Sequence, residues 1–133
     1  IHTIKKSYSE AKKALTYQIS LNLSGLTQYT EIGINRLFLN QSYEEVRSFL
    51  HEIFSPLRSK KVQNIELEKT LTTYIKLNRS ANHAANELHI HPNTLYQRLK
   101  KIEELLEISF DTPEDILKIH LAIHLRDTFK TEV

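Results

Sequence analysis

Leu95, Leu99, Ile102 and Leu106 recur at intervals of four, three and four residues behind Pro92, and no other spacing in the chain restricts the fold as much. Those intervals put all four side chains on one stripe of an α-helix, and proline is favoured at its first position. A shorter segment, about Ala81 to Leu88, precedes it with Ala84, Ala85 and Leu88 on one face. His89, Ile90 and His91 lie between the two, with Ile90 the natural apolar plug under a turn. A short helix, a three-residue turn and a second helix make a helix-turn-helix. Ala85 falls where the two helices must approach closely, and a larger side chain there would push them apart.

The rest of the chain extends the helical reading. Ser7-Tyr8-Ser9-Glu10 has the form of a capping box and opens a helix over about 8–20, with Ala11, Ala14, Leu15 and Ile19 on one face. Ser42-Tyr43-Glu44-Glu45 is a second box, followed by the stripe Val46, Phe49, Leu50, Ile53 and Leu57, with the helix ending near Pro56. A helix from about Ile65 to Asn78 presents Leu67, Leu71, Tyr74 and Ile75. Thr112-Pro113-Glu114-Asp115 is a helix start with a cap, a first-turn proline and acids at the positive end of the dipole. The helix beyond it is apolar nearly all round (Ile116, Leu117, Ile119, Leu121, Ala122, Ile123, Leu125), so it is either wedged between others or part of a subunit interface. The exception is Leu23 to Ile34, which holds both glycines and a β-prone piece around Thr27 to Thr30. It reads as a turn and one strand with no partner in this chain, an element cut from a sheet. The expected fold is therefore mainly α: a helical bundle with a helix-turn-helix over 42–133, behind a small α/β remnant over 1–41.

Composition narrows the chemistry. The 133 residues contain no cysteine, which excludes a disulfide scaffold, a Cys-ligated zinc site and a thiol nucleophile. Two glycines, Gly25 and Gly33, cannot build a P-loop or a dinucleotide fingerprint. The lack of methionine suggests a piece of a longer product. No apolar run approaches the ~20 residues of a membrane span, so no membrane partner is expected. His89-x-His91 and His120-x-x-x-His124 invite a metal reading, but Leu121 stands where a zincin motif needs Glu and no third ligand is evident. His91 reads instead as an N-cap or turn residue, and His120 as a core or interface histidine. Nothing forms a nucleophile elbow, and Glu103 and Glu104 read as a solvated face. Neither an enzyme nor a cofactor or metal site is expected.

Charge is distributed unevenly although the net value is only +2. Residues 76–101 carry five basic side chains (Lys76, Arg79, Arg98, Lys100, Lys101) against Glu87 alone, whereas 102–115 carry six acids and no base. A local basic patch of this kind can meet phosphate on a nearly neutral molecule. With Leu95 turned to the core, a helical wheel places Asn93, Gln97, Lys100 and Glu104 on the opposite side, with Tyr96 and Lys101 on the flanks. Asn and Gln can bond adenine bidentately, and lysine can bond phosphate or guanine. The helix start and the Thr94 hydroxyl suit a phosphate oxygen. This face fits the major groove of double-stranded DNA, with Asn93, Tyr96 and Gln97 as base contacts and Thr94, Arg98, Lys100 and Lys101 as phosphate contacts. Arg98, nearer the core boundary, could instead pair within the molecule with Glu87 or Glu103. The competing reading is a helical interaction or oligomerisation module whose Lys and Gln face is merely solvated.

The run Asn82-x-x-Ala85-x-x-Leu88-x-Ile90-x-x-x-Thr94-Leu95-x-x-x-Leu99-Lys-Lys resembles the helix-turn-helix of the Fis type. Leu88 through Leu106, continuing through Asp111-Thr-Pro-Glu-Asp115 into Leu117–Leu125, resembles the C-terminal domain of PucR/CdaR-type transcription regulators. Upstream the similarity includes the helix ending Phe54-Ser-Pro-Leu57, so it covers about 42–127. Residues 7–40, with Ser7-Tyr-Ser-Glu-Ala11 and Tyr29-x-x-x-Gly33, are similar to the tail of the GGDEF-like domain that often precedes this module. The resemblance implies a cytoplasmic bacterial regulator that binds DNA, with any small-molecule effector site upstream. Since one helix-turn-helix buries little surface and such modules usually bind paired half-sites, it also implies a homodimer, through the terminal helix or the upstream region. The chain departs from the family pattern where Asn78-Arg79-Ser80 replaces a Gly-Asn-type turn and where Glu107 replaces a glycine behind the second helix.

Overall fold

A computed structural model describes residues 29–38, 40–58 and 66–129. Among these there are five α-helices and no strand: α1 (Tyr43–Phe54), α2 (Leu67–Lys76), α3 (Ala81–Glu87), α4 (Pro92–Leu106) and α5 (Pro113–Phe129). A 3-10 stretch, Tyr29–Leu37, leads in, and a second, Ser55–Arg58, follows α1 directly. The capping box at Ser7, the helix over 8–20 and most of the proposed remnant lie outside the described residues.

The helix starts follow local chemistry. Ser42 accepts the Glu45 N–H at 3.1 Å, the forward half of the anticipated box. Ser80 caps α3 by accepting the His83 N–H. The apolar stripes then bury one continuous core, which runs from Leu50, Ile53, Phe54 and Leu57 through Leu67, Leu71 and Ile75 to Leu95, Leu99 and Ile102. Helix α5 closes it with Ile119, Ala122, Ile123 and Leu125. Its all-round apolarity thus serves mainly this chain's own core, and Leu117 is left exposed.

One expectation is corrected and another narrowed. Tyr29 and Thr30, half of the anticipated strand, lie in the first 3-10 stretch. A lone strand would leave its backbone donors and acceptors unpaired, whereas i→i+3 bonds satisfy them locally. Gly33 kinks that stretch at φ 70 and ψ −139, a conformation open to glycine because it has no Cβ. Of the two readings of His120, core or interface, its exposure removes the first.

Helices α2, α3 and α4 all end in the same reversal. Arg79 donates to the Tyr74 carbonyl, Ile90 to Ala85 and Ile108 to Glu103, each five residues back. The residue before each donor, Asn78, His89 and Glu107, is left-handed at φ 56, 55 and 53. This is the Schellman ending, which normally uses glycine at that position. Two of the three reversals fall where the sequence departs from the family's glycine-bearing pattern, so the geometry is kept without the residue that usually permits it.

Candidate nucleic-acid interface

Helices α3 and α4 form the anticipated helix-turn-helix, and α2 packs against both. Ala84 and Ala85 of α3 and Leu95 of α4 are buried in the same core. Ile90, in the turn, is partly buried against the same core. The small side chains let the helices approach closely, and the Ala85–Ile90 backbone bond at 3.0 Å closes the turn.

His91 caps α4. Its Nδ1 accepts the Asn93 N–H at 3.0 Å, which satisfies a helix-start donor that the chain itself cannot. The imidazole must be neutral at Nδ1 to accept. Behind the cap, Leu95, Leu99 and Ile102 are buried, and the opposite side of α4 is open. Asn93, Gln97, Lys100, Lys101 and Glu104 are all exposed, and Tyr96 is 57% exposed. Thr94 and Arg98 are half-buried. The seven residues singled out from sequence are therefore carried by one helix, five of them exposed and two half-buried.

Arg98 has an internal partner, but not the one anticipated. Its Nη1 donates to the Thr70 hydroxyl of α2 at 3.2 Å, rather than to Glu87 or Glu103. Thr70 is fully buried and donates in turn to the Glu66 carbonyl at 3.0 Å. Glu103 is not a solvated acid either. It is half-buried, and its Oε2 accepts the Phe110 N–H at 3.1 Å. Glu104, its neighbour, is exposed as expected.

Sequence reasoning missed Ser80 and Glu103 as groups that hold this motif. The signal for Ser80 was present, since a serine immediately before a short alanine-rich helix is a cap. Glu103 had no local signal, because its partner lies beyond the helix end.

Away from α4, Glu68 of α2 joins Arg58, whose Nη2 donates at 2.7 Å, and Arg126 of α5, whose Nη1 donates at 2.9 Å. The Arg126 guanidinium also stands 4.8 Å from the centre of the Phe54 ring. Burial works against the Glu68 carboxylate, but the bonds and charges of the two arginines outweigh it and hold the group below its ordinary value. This cluster ties α1, α2 and α5 together behind the helix-turn-helix. His124, the second histidine of the pair on α5, is bonded at Nε2 to Asn35 Oδ1.

A family model described as the PucR C-terminal helix-turn-helix domain matches residues 67–125. The chain is 26% identical over 124 residues to the purine catabolism regulatory protein of Bacillus subtilis strain 168, covering 92% of this chain and 23% of that protein. It is 26% identical over 130 residues to the DNA-binding transcriptional activator AdeR of the same organism, covering 95% and 31%. The proline-responsive transcriptional activator PutR, also from that organism, is 31% identical over 132 residues, covering 93% and 32%. The chain thus spans a third or less of the length of these relatives. No solved structure shows significant similarity.

Proposed function

We propose, from the match of residues 67–125 to the PucR C-terminal helix-turn-helix family model, that the chain is the DNA-reading end of a bacterial transcription regulator. Helix α4 enters the major groove. Asn93, Tyr96 and Gln97 meet base edges, while Thr94, Lys100 and Lys101 meet phosphate. Arg98 joins the phosphate contacts by giving up its bond to Thr70.

One observation carries this reading. The helix that is second in the helix-turn-helix is capped at its start and buried along one stripe, and its open face holds amide, phenol and ammonium groups together. A face that only needed to be soluble would not require that mixture. The names of AdeR and PutR describe transcriptional activators, and AdeR's describes DNA binding. Those are statements about the relatives, and they support the same reading here.

The finer parts of the proposal follow from it. The boundary between modules falls at residues 41 and 42, where Ser42 begins α1 with its own cap, and residues 1–41 are the tail of a GGDEF-like domain. The protein acts as a binder, not an enzyme, in the cytoplasm where its DNA is. Any effector binds upstream of this chain. The regulator works as a homodimer on paired half-sites, joined through the upstream region or through the exposed Leu117 edge of α5. Among the described residues no helix is long and apolar enough to cross a membrane.

Fluorescence anisotropy against short duplexes from the protein's genomic neighbourhood, at two salt concentrations, tests this. The expected result is binding that favours one duplex and weakens steeply with salt. A folded sample, and a full-length protein, that bind no duplex at low salt would favour the interaction-module reading.

A further inference from the structure

Phe110 is held from three directions. Its N–H is accepted by Glu103 Oε2 at 3.1 Å, from the last turn of α4. Its carbonyl accepts Arg79 Nη1 at 2.9 Å, from the turn between α2 and α3. Its ring meets Tyr74 of α2 edge-to-face, with centroids 5.3 Å apart and planes at 75°. Phe110 is itself buried, and the residue before it is fixed by a bond from the Ser109 N–H to Asp115 Oδ2 at 3.0 Å. Burial pushes the Tyr74 phenol up, with Arg79, Asp111 and Glu103 all close enough to act on it. This is a dense joint at the far end of the DNA-reading helix, and Glu103 supplies its side-chain hydrogen bond from α4 to Phe110.

We propose that Glu103 is a positioning residue: by holding Phe110 it sets the tilt of α4 against α2 and thereby the discrimination between cognate and unrelated DNA. The proposal rests on the DNA-binding reading above. Asn93 lies ten residues from Glu103, or about 15 Å along the helix at the standard rise. A tilt of about 5° at the joint moves the reading end by more than about 1 Å, against a tolerance near 0.5 Å for a working polar contact. Base contacts feel such a shift first, because they are directional. Lysine–phosphate contacts absorb it, because an ammonium on a flexible stem follows its partner.

The test compares Glu103→Ala, Glu103→Gln and Glu107→Gln in the 133-residue chain. Anisotropy is measured on a duplex selected by the wild type from a random pool and on its scrambled version, with folded fraction measured by urea unfolding. Glu103→Ala should lower the selected-to-scrambled affinity ratio by about tenfold, the equivalent of roughly one base contact. Glu103→Gln keeps an oxygen to accept the Phe110 N–H and should retain the ratio. Glu107→Gln removes one exposed charge from the same helix end, outside the open face of α4, and should also retain it. A purely structural role would lower both affinities in proportion to the folded fraction and leave the ratio unchanged, which overturns the proposal. Loss of the ratio in Glu107→Gln to the same extent also overturns it, since charge alone would then be the cause. Residual dipolar couplings of Glu103→Ala give a readout that needs no DNA: the α4 axis should turn by several degrees relative to α2, and an unchanged axis overturns the proposal. A wild type that selects no duplex means the DNA-binding reading has failed, whereas an unturned axis means that the positioning role has.

Discussion

Arg98 of α4 donates to the hydroxyl of Thr70, a fully buried residue of α2, at 3.2 Å. The bond ties a candidate phosphate contact to the scaffold behind it. Thr70→Val keeps the shape and removes the acceptor. The hydroxyl both accepts from the charged Arg98 and donates to the Glu66 carbonyl, so the expected cost is about 1–3 kcal/mol of stability, read as a lower urea midpoint with an unchanged slope. If Arg98 leaves Thr70 to reach phosphate, Thr70→Val leaves DNA affinity equal or tighter while Arg98→Ala weakens it. Equal weakening by both would mean that Arg98 acts only through α2.

Glu68 makes the stability of the bundle dependent on acid pH. The arginines hold its carboxyl below the ordinary 4.5, even though burial pushes the other way. A depressed folded value means that this stabilisation is fully present above the unfolded value and is lost as pH falls through the folded one. Glu68→Gln should therefore lower stability by about 1–2 kcal/mol at pH 7, between the limits for exposed and buried pairs. The gap to wild type should close as acidification protonates the carboxyl, at a pH below its ordinary range. Thermal melts of both proteins at pH 7, 5 and 3 measure it, and a gap independent of pH would contradict the assignment.

The left-handed residues that end α2 and α4 predict a contrast between two glycine substitutions. Glu107 at φ 53 is a side chain with no local reason to tolerate that region, whereas asparagine, as at Asn78, enters it more readily. Glu107→Gly should stabilise by about 0.5–1 kcal/mol, and Asn78→Gly should be close to neutral. Urea midpoints of the two variants decide this, and the reverse order would mean that the Glu107 side chain contributes more than its backbone costs.

His91 predicts a cap effect at the start of α4. His91→Ala removes the acceptor for the Asn93 N–H and should cost about 1 kcal/mol, while His91→Asn restores a capping group and should recover most of it. Amide exchange at Asn93 should rise in the alanine variant only. A protected Asn93 amide in His91→Ala would show that the imidazole is not its partner.

Much of the fold is legible in the residues because it depends on neighbours in sequence. The spacing of Leu95, Leu99 and Ile102 and the caps at Ser42 and His91 act within four residues, and the helices they imply are present. Phe54 and Thr70 were not anticipated in the core. Phe54 lies beside the predicted stripe, under the Arg126 guanidinium, and Thr70 reads as polar until its hydroxyl finds Glu66 and Arg98. Glu103 looked like one of a solvated pair because its partner is seven residues away around a helix end. Glu68 and Arg126 are 58 positions apart, so no periodicity connects them. The three helix endings carried no glycine to announce them. At the candidate interface the sequence shows which side chains share the open face of α4, while the bonds that orient that helix come from α2 and the loop behind it.

One binding comparison tests the division of labour along α4. Asn93→Ala and Gln97→Ala, and separately Lys100→Ala and Lys101→Ala, are measured by anisotropy on the selected and scrambled duplexes across a salt series. Each amide variant is expected to lose about 1–3 kcal/mol on the selected duplex alone. Each lysine variant weakens both duplexes alike and reduces the salt slope by about one. Four variants that weaken both duplexes equally, with unchanged slopes, would contradict it.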